Sequence, residues 1–134
     1  MAEAHELGNV DLYANTTHSL ADLSLDRGAW DEATERYLES LAIFEDIKRR
    51  TGVAYCLAGV AAVAAGRKNA VRAGRLWGAT IQMEQDLGNP LLAFERRRYE
   101  KLVDRVRGPQ FDAAVAQGRA LEMAAALKVA RNDR

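Results

Sequence analysis

Residues 20–47 read LADLSLDRGAWDEATERYLESLAIFEDI, and residues 60–87 read VAAVAAGRKNAVRAGRLWGATIQMEQDL. Laid over one another at an offset of 40, they match Ala21 with Ala61, Arg27 with Arg67, Ala33 with Ala73 and Asp46 with Asp86. Conservative pairs fill the space between: Leu20 and Val60, Leu23 and Val63, Tyr37 and Trp77, Ser40 and Thr80, Leu41 and Ile81, Ile47 and Leu87. Small residues recur where two helices must approach, and large ones where the gap must be filled. Self-similarity at such a period is the mark of a helix-pair repeat. The paired positions are expected to face inward in both units. A third copy is partial: Ala113 and Leu121 match Ala73 and Ile81, but the preceding helix does not.

Outward from this repeat, apolar residues three and four apart predict helices, and no stretch alternates as a strand would. Asn9 is placed to cap a first helix running to about Arg27, with Val10, Tyr13, Thr17, Leu20, Ala21 and Ser24 inward. Gly28 then supplies a residue that tolerates positive φ. A second helix starts near Asp31 and runs to about Arg50 on the stripe Ala33, Tyr37, Leu41, Phe44 and Ile47. Its early acids and late bases (Lys48, Arg49, Arg50) complement the helix dipole. A break near Thr51-Gly52 opens a third helix, about Val53 to Ala65. Asn69 caps a fourth to about Leu87, which turns Ala73, Leu76, Trp77, Thr80, Ile81 and Leu87 inward.

Gly88-Asn89-Pro90 is expected to end that helix, cap the next and fill its first position. The fifth helix, to about Arg107, is predicted to bury Leu91, Phe94, Tyr99, Leu102 and Val106. Gly108-Pro109 repeats the stop-and-start signal, and Phe111 to about Ala130 completes the helical material with a break near Gly118. The expected fold is all-α, with six or seven helices in antiparallel pairs stacked as a short right-handed α-solenoid. One domain covers residues 1–134, with repeat 1 at about 10–50, repeat 2 at about 51–88 and a degenerate pair at about 90–130.

Composition narrows the class. Of 134 residues 49% are apolar, which disfavours disorder. Nineteen basic and nineteen acidic residues balance to zero, which disfavours a globally basic nucleic-acid binder. The neutrality is a cancellation: residues 1–50 carry 5 basic and 11 acidic side chains, a balance of −6, and residues 51–134 carry 14 and 8, a balance of +6. Such a bipolar chain suits head-to-tail association. Cys56 is the single cysteine, so neither an intramolecular disulfide nor a cysteine-based zinc site is available. The first twenty residues hold three acids and no apolar core, so no signal peptide is expected. The longest run free of charged or strongly polar residues, Val53 to Gly66, is 14 residues, too short to span a bilayer. A cytoplasmic protein without membrane contact is expected.

The repeat resembles the tetratricopeptide pattern of paired antiparallel helices. In the first unit the family's small, turn and aromatic positions fall on Leu20-Ala21, Gly28, Trp30, Ala33, Tyr37 and Ser40. In the second they fall on Val60-Ala61, Ala73, Trp77 and Thr80, with Lys68 at the turn position and Gly66 beside it. The period exceeds the common ~34 residues, so the likeness is to a long-repeat variant. Residues 56–126 also resemble the C-terminal helical-repeat region of large bacterial regulatory ATPases of the LuxR and signal-transducing NTPase type. The strings CLAGVAAVAAGR, RAGRLWGAT, LGNP, ERRRYEKLV and FDAAVAQGRAL carry that likeness. It implies a sensor or protein-interaction region, either a piece of such a regulator or a short free-standing relative. It does not bring the ATPase, because no G-x-x-x-x-G-K-[ST] loop occurs. The tetratricopeptide likeness further implies a ligand surface on the concave face, made by the first helix of each pair. By position that face would hold Asn15, His18, Asp22 and Asp26 from the first unit, and Tyr55, Ala58 and Ala62 from the second. It would be acidic at one end and small and apolar at the other, suited to a basic or mixed peptide.

No catalytic set emerges. His5 and His18 lie thirteen apart and no H-E-x-x-H occurs, so no metal site is expected. His18 is expected as a groove or surface residue, and Cys56 as a small buried one. Asp31-Glu32 and Glu45-Asp46 are expected at helix ends or on solvated faces, where they need no catalytic account. Gly74 and Gly78 are expected to admit a neighbouring helix. In the run Arg96-Arg97-Arg98, Lys101, Arg105 and Arg107, the residues Arg98, Lys101 and Arg105 share a face. Glu95, Glu100 and Asp104 interleave with them, so internal pairing is expected rather than nucleic-acid binding, with an acidic protein partner as the alternative.

The expected function is a non-enzymatic module, without cofactor, for protein–protein or interdomain contacts in a bacterial transcriptional or signalling regulator. The alternatives are a self-associating structural module, giving a homodimer through an exposed apolar end, and a small-molecule sensor pocket lined by Tyr55, Trp77 and Tyr99.

Overall fold

The computed structural model describes residues 2–132, with side chains from residue 8 onward; His5 falls outside the latter. The described chain forms α1 (Ala2–Asp26), α2 (Trp30–Asp46), α3 (Arg50–Gly66), α4 (Ala70–Leu87), α5 (Ala93–Val103), a 3₁₀ turn (Asp104–Val106), α6 (Pro109–Arg119) and α7 (Met123–Asn132). Among the described residues there is no strand, and no helix is long and apolar enough to cross a membrane.

The first four helices end alike. Gly28, Lys48, Lys68 and Gly88, spaced by twenty, take φ of 73°, 59°, 65° and 64°. At each, the next N–H returns to the carbonyl five residues earlier: Ala29 to Ser24 (2.9 Å), Arg49 to Phe44 (2.8 Å), Asn69 to Ala64 (2.9 Å) and Asn89 to Glu84 (3.1 Å). This closure satisfies carbonyls that a helix end leaves without partners. Glycine adopts the left-handed conformation freely, whereas each lysine does so at a cost of about 1 kcal/mol. Position 68 therefore makes the same turn as Gly28 without a glycine. Asn69 caps α4 as predicted, its side chain accepting from the Arg72 N–H at 3.1 Å.

Several boundaries differ from expectation. α1 begins at Ala2, so Asn9 lies inside it rather than capping it. α3 begins at Arg50, so Thr51-Gly52 are helical, and Lys48 and Arg49 lie in the turn. Asn89 and Pro90 belong to a connection, because α5 starts only at Ala93. The Leu91 N–H is fastened instead to Glu84 Oε2 (2.8 Å) and the Leu92 N–H to the Tyr55 hydroxyl (2.9 Å). Pro109 does open α6.

α3 is the hub, packing on α1, α2, α4, α5 and α7, and every residue from Cys56 to Ala65 is buried. Trp30, Tyr37 and Phe44 on α2, seven apart, lie over Gly66, Gly59 and Gly52 on α3, seven apart in the opposite direction. A Cβ at any of these glycines would lie 2.4–2.5 Å from the ring. Between α4 and α6 the approach is backbone to backbone. A Cβ would come 2.6 Å from the Phe111 carbonyl oxygen at Gly74 and 2.2 Å from that of Val115 at Gly78. At Gly118 it would lie 2.0 Å from that of Arg75. α7 docks through Arg72, whose guanidinium donates to the Val129 and Ala130 carbonyls at 2.8 and 3.0 Å.

The inward faces need two corrections. On α1 the buried residues are Ala14, Thr17, His18, Ala21, Asp22, Ser24 and Leu25, while Val10, Tyr13, Leu20 and Leu23 are exposed. Their counterparts Val60 and Val63 are buried where α3 meets α2, in a cavity shared with Asp31, Thr34 and Glu35. No described helix lies over Leu20 and Leu23. On α5 the inward residues are Tyr99, Leu102 and Val103, and Phe94 stands exposed.

Candidate functional site

His18 and Asp22 are one turn apart on the buried side of α1, with Nδ1 and Oδ2 3.6 Å apart. Two phenols converge on the carboxylate. The Tyr37 hydroxyl of α2 donates to Asp22 Oδ1 at 2.6 Å, and the Tyr99 hydroxyl of α5 donates to the same oxygen at 2.8 Å. The Tyr99 oxygen also lies 3.2 Å from His18 Nε2 and 3.2 Å from Glu95 Oε2. Arg98, the residue before Tyr99 on α5, donates to Asp22 Oδ2 at 3.3 Å and to Asp26 at 3.2 Å, and pairs with Glu95. The His18 ring contacts those of Tyr37 and Tyr55, with centroids 5.4 and 5.9 Å apart.

Burial sets the electrostatics. The His18 imidazole is held below its ordinary range chiefly by loss of solvent, against the opposing pull of the Glu95 charge and a hydrogen bond to the Tyr55 backbone. The Glu95 carboxyl is raised, first by burial and then by its neighbour Asp22, with Arg98 opposing. Burial raises the phenols of Tyr37 and Tyr99, so both stay protonated donors. Cys56 is pushed up to about 12, again by burial, so its thiol does not serve as a nucleophile at neutral pH.

The structure brings most of the predicted concave surface together and closes it. His18, Asp22, Ala58 and Ala62 are buried, and Tyr55 is half-buried with its hydroxyl used by Leu92. Asn15 and Asp26 remain exposed, and Asp26 is held by Arg98. The cover is α5, lying on α3 and bonded to α1. Of the three residues named for a sensor pocket, Tyr99 spends its hydroxyl on this network, and the Tyr55 hydroxyl accepts from the Leu92 N–H. Trp77 lies under the Arg96 guanidinium, 5.4 Å from its ring centroid.

His18, Asp22 and Glu95 each offer one donor atom within 4.8 Å of the others, a spacing compatible with a cation. The Arg98 guanidinium already engages both carboxylates there. Histidine, carboxylates and phenols can exchange protons; here Tyr37 and Tyr99 have no exposed surface, and His18 and Asp22 keep only 8 and 4%. Among the described residues no buried side-chain polar atom lacks a partner. The cluster is a closed polar joint that fixes α5 to α1 and α2.

Sequence reasoning placed His18 and Asp22 together but missed Glu95, Arg98 and Tyr99 as their partners. A signal was present: the i, i+4 spacing of His18 and Asp22 matches that of Glu95 and Tyr99. Compared with models of protein families, with curated proteins and with solved structures, the chain finds no match.

Proposed function

We propose that the chain is a non-enzymatic helical-repeat module of the tetratricopeptide kind, a short α-solenoid serving protein–protein or interdomain contact in a bacterial transcriptional or signalling regulator. The observation that supports this most is the outward side of α1. Leu12, Tyr13, Leu20 and Leu23 are exposed by 65, 55, 42 and 52%. At 3.6 residues per turn they fall within an arc of about 100°, opposite the buried side. The repeat equivalents of Leu20 and Leu23 are buried, so this face matches one that the same fold covers with a helix. Large apolar side chains exposed together on one helix face, here with Thr16 between them, are a feature of interaction sites.

A photo-activatable residue at Leu20 or Leu23, in the cell of origin, should give discrete adducts that Leu12→Glu with Tyr13→Glu removes. The same probe at Gln110 on α6 should give none. Equal adduct patterns at both places would overturn the proposal. The same face also favours the second reading, self-association, which would appear as adducts of twice the chain's mass.

A further inference from the structure

The bases of α5 and the 3₁₀ turn are not used evenly. Glu95 pairs with Arg98, Glu100 with Arg96 (3.1 Å) and Arg107 (3.8 Å), and Asp104 with Arg107 (2.5 Å). Arg98 also holds Asp22 and Asp26, and Arg96 holds Glu84. The interleaved acids are thereby taken up by Arg96, Arg98 and Arg107. Arg97, Lys101 and Arg105 are exposed and have no ion pair among the described residues. Four residues apart, they make a line of positive charge about 12 Å long.

These three wall a cavity of about 580 Å³ whose other lining is Leu25, Leu102, Phe94 and the Arg98–Asp26 pair. Phe94 is 63% exposed, with the Arg98 guanidinium 5.6 Å from its ring centroid. A lone exposed cation means little. Three on one stripe make a directed field, and the two arginines and the open aromatic ring beside an apolar floor are residue types enriched where proteins meet.

We propose that the stripe Arg97–Lys101–Arg105, together with Phe94, docks an acidic peptide segment. The fitting occupant is a helix with carboxylates four residues apart and one apolar side chain directed at Phe94. Charge complementarity selects the acidic partner, and the apolar floor selects a peptide. The acid on the opposite rim, Asp26, is held by Arg98, so it does not offset the positive charge of the stripe. The proposal rests on the interaction-module reading but uses α5, not the outward face of α1.

The test is fluorescence anisotropy with a labelled alanine-based helical peptide of about 15 residues, glutamate at every fourth position and one phenylalanine. A lysine-for-glutamate twin and single-stranded oligothymidine serve as competitors. The glutamate peptide should bind saturably, more weakly as salt rises. The combined Arg97→Glu, Lys101→Glu and Arg105→Glu variant breaks none of the described ion pairs and should lose about tenfold in affinity or more. The glutamine version should lose less, with unchanged circular dichroism for both. Phe94→Ala should weaken the phenylalanine peptide and not an alanine twin. Absent binding, or equal binding by the charge-reversed variant, overturns the proposal. So does tighter binding of oligothymidine. Self-association in the absence of peptide that the triple reversal abolishes would assign the stripe to a second copy and overturn it likewise. Peptide binding without adducts on α1 overturns only the earlier reading, and the converse overturns only this one.

Discussion

At the scale of single residues, the joint among α1, α2 and α5 is held by one carboxylate. Asp22 receives two phenol protons and a guanidinium, and that saturation is what allows an acid to stay buried. His18 beside it makes the joint sensitive to pH. Its imidazole is lowered in the fold, so from about pH 6.5 downward the unfolded chain binds the proton more readily. The stability it contributes is whole above that pH and is lost as pH falls through the lowered folded value. Glu95 acts in the opposite sense. Its carboxyl is raised, so its contribution is whole below about pH 4.5 and is lost as pH rises through the raised value. His18→Gln should therefore lose less stability than the parent between pH 7 and pH 5, measured by urea denaturation across that range. Parallel losses in the two proteins would show that His18 is not the titrating group. The spacing of His18 and Asp22 was legible in the sequence. Their partners were not, because which helix closes over the α1–α3 groove is decided by packing far along the chain.

At the scale of helices, α2 and α3 fit by aromatic rings over bare backbone. Tyr37 cannot swing away from Gly59, since its hydroxyl is fixed to Asp22. Gly59→Ala should therefore lower stability by about 1–3 kcal/mol, although alanine in a helix interior gains about 1 kcal/mol over glycine. Equilibrium urea unfolding decides it, and a gain in stability would show that the ring is free to move. The turns predict the reverse sign. Lys68→Gly should raise stability by roughly 0.5–1 kcal/mol by relieving a left-handed non-glycine residue, read from the same unfolding curves. A loss would mean that the entropy of a looser unfolded chain outweighs the relief.

Helix number and most turn positions were legible, because Gly28, Asn69, Gly88 and Pro109 carry local signals. Lys48 carries none, and so the break between α2 and α3 was expected at the next glycine, Gly52. That glycine instead admits Phe44. The inward face of α1 was misread for a related reason. Leu20 and Leu23 have core-like spacing, but the spacing does not state whether a helix will lie over them.

At the scale of the whole molecule, the charge imbalance between the two parts of the sequence is partly consumed within the fold. Arg67 pairs with Asp31, Arg98 with Asp22 and Asp26, and Arg131 with Glu45, each joining a base beyond residue 50 to an acid before it. The Arg67 and Arg131 pairs are largely exposed and open to screening, while the Arg98 pair is sheltered. Raising salt from about 0.05 to about 0.5 M should therefore lower stability by no more than about 1 kcal/mol. A clear rise, followed by thermal melting, would mean that repulsion among like charges within each part dominates.

The even spacing of the four left-handed turns has a consequence for how such a chain can change length. A single inserted residue inside a helix rotates everything after it by about 100° and turns a buried face to water. A block of a full helix pair, forty residues, instead ends on the same backbone closure, and with the chain running the same way, as it began. Growth by whole pairs preserves both the direction of each later helix and the side it turns to the core, whereas a single added helix reverses all that follow. The forty-residue steps from Gly28 to Lys68 and from Lys48 to Gly88 thus act as a reading frame for the fold, kept even where lysine occupies the turn.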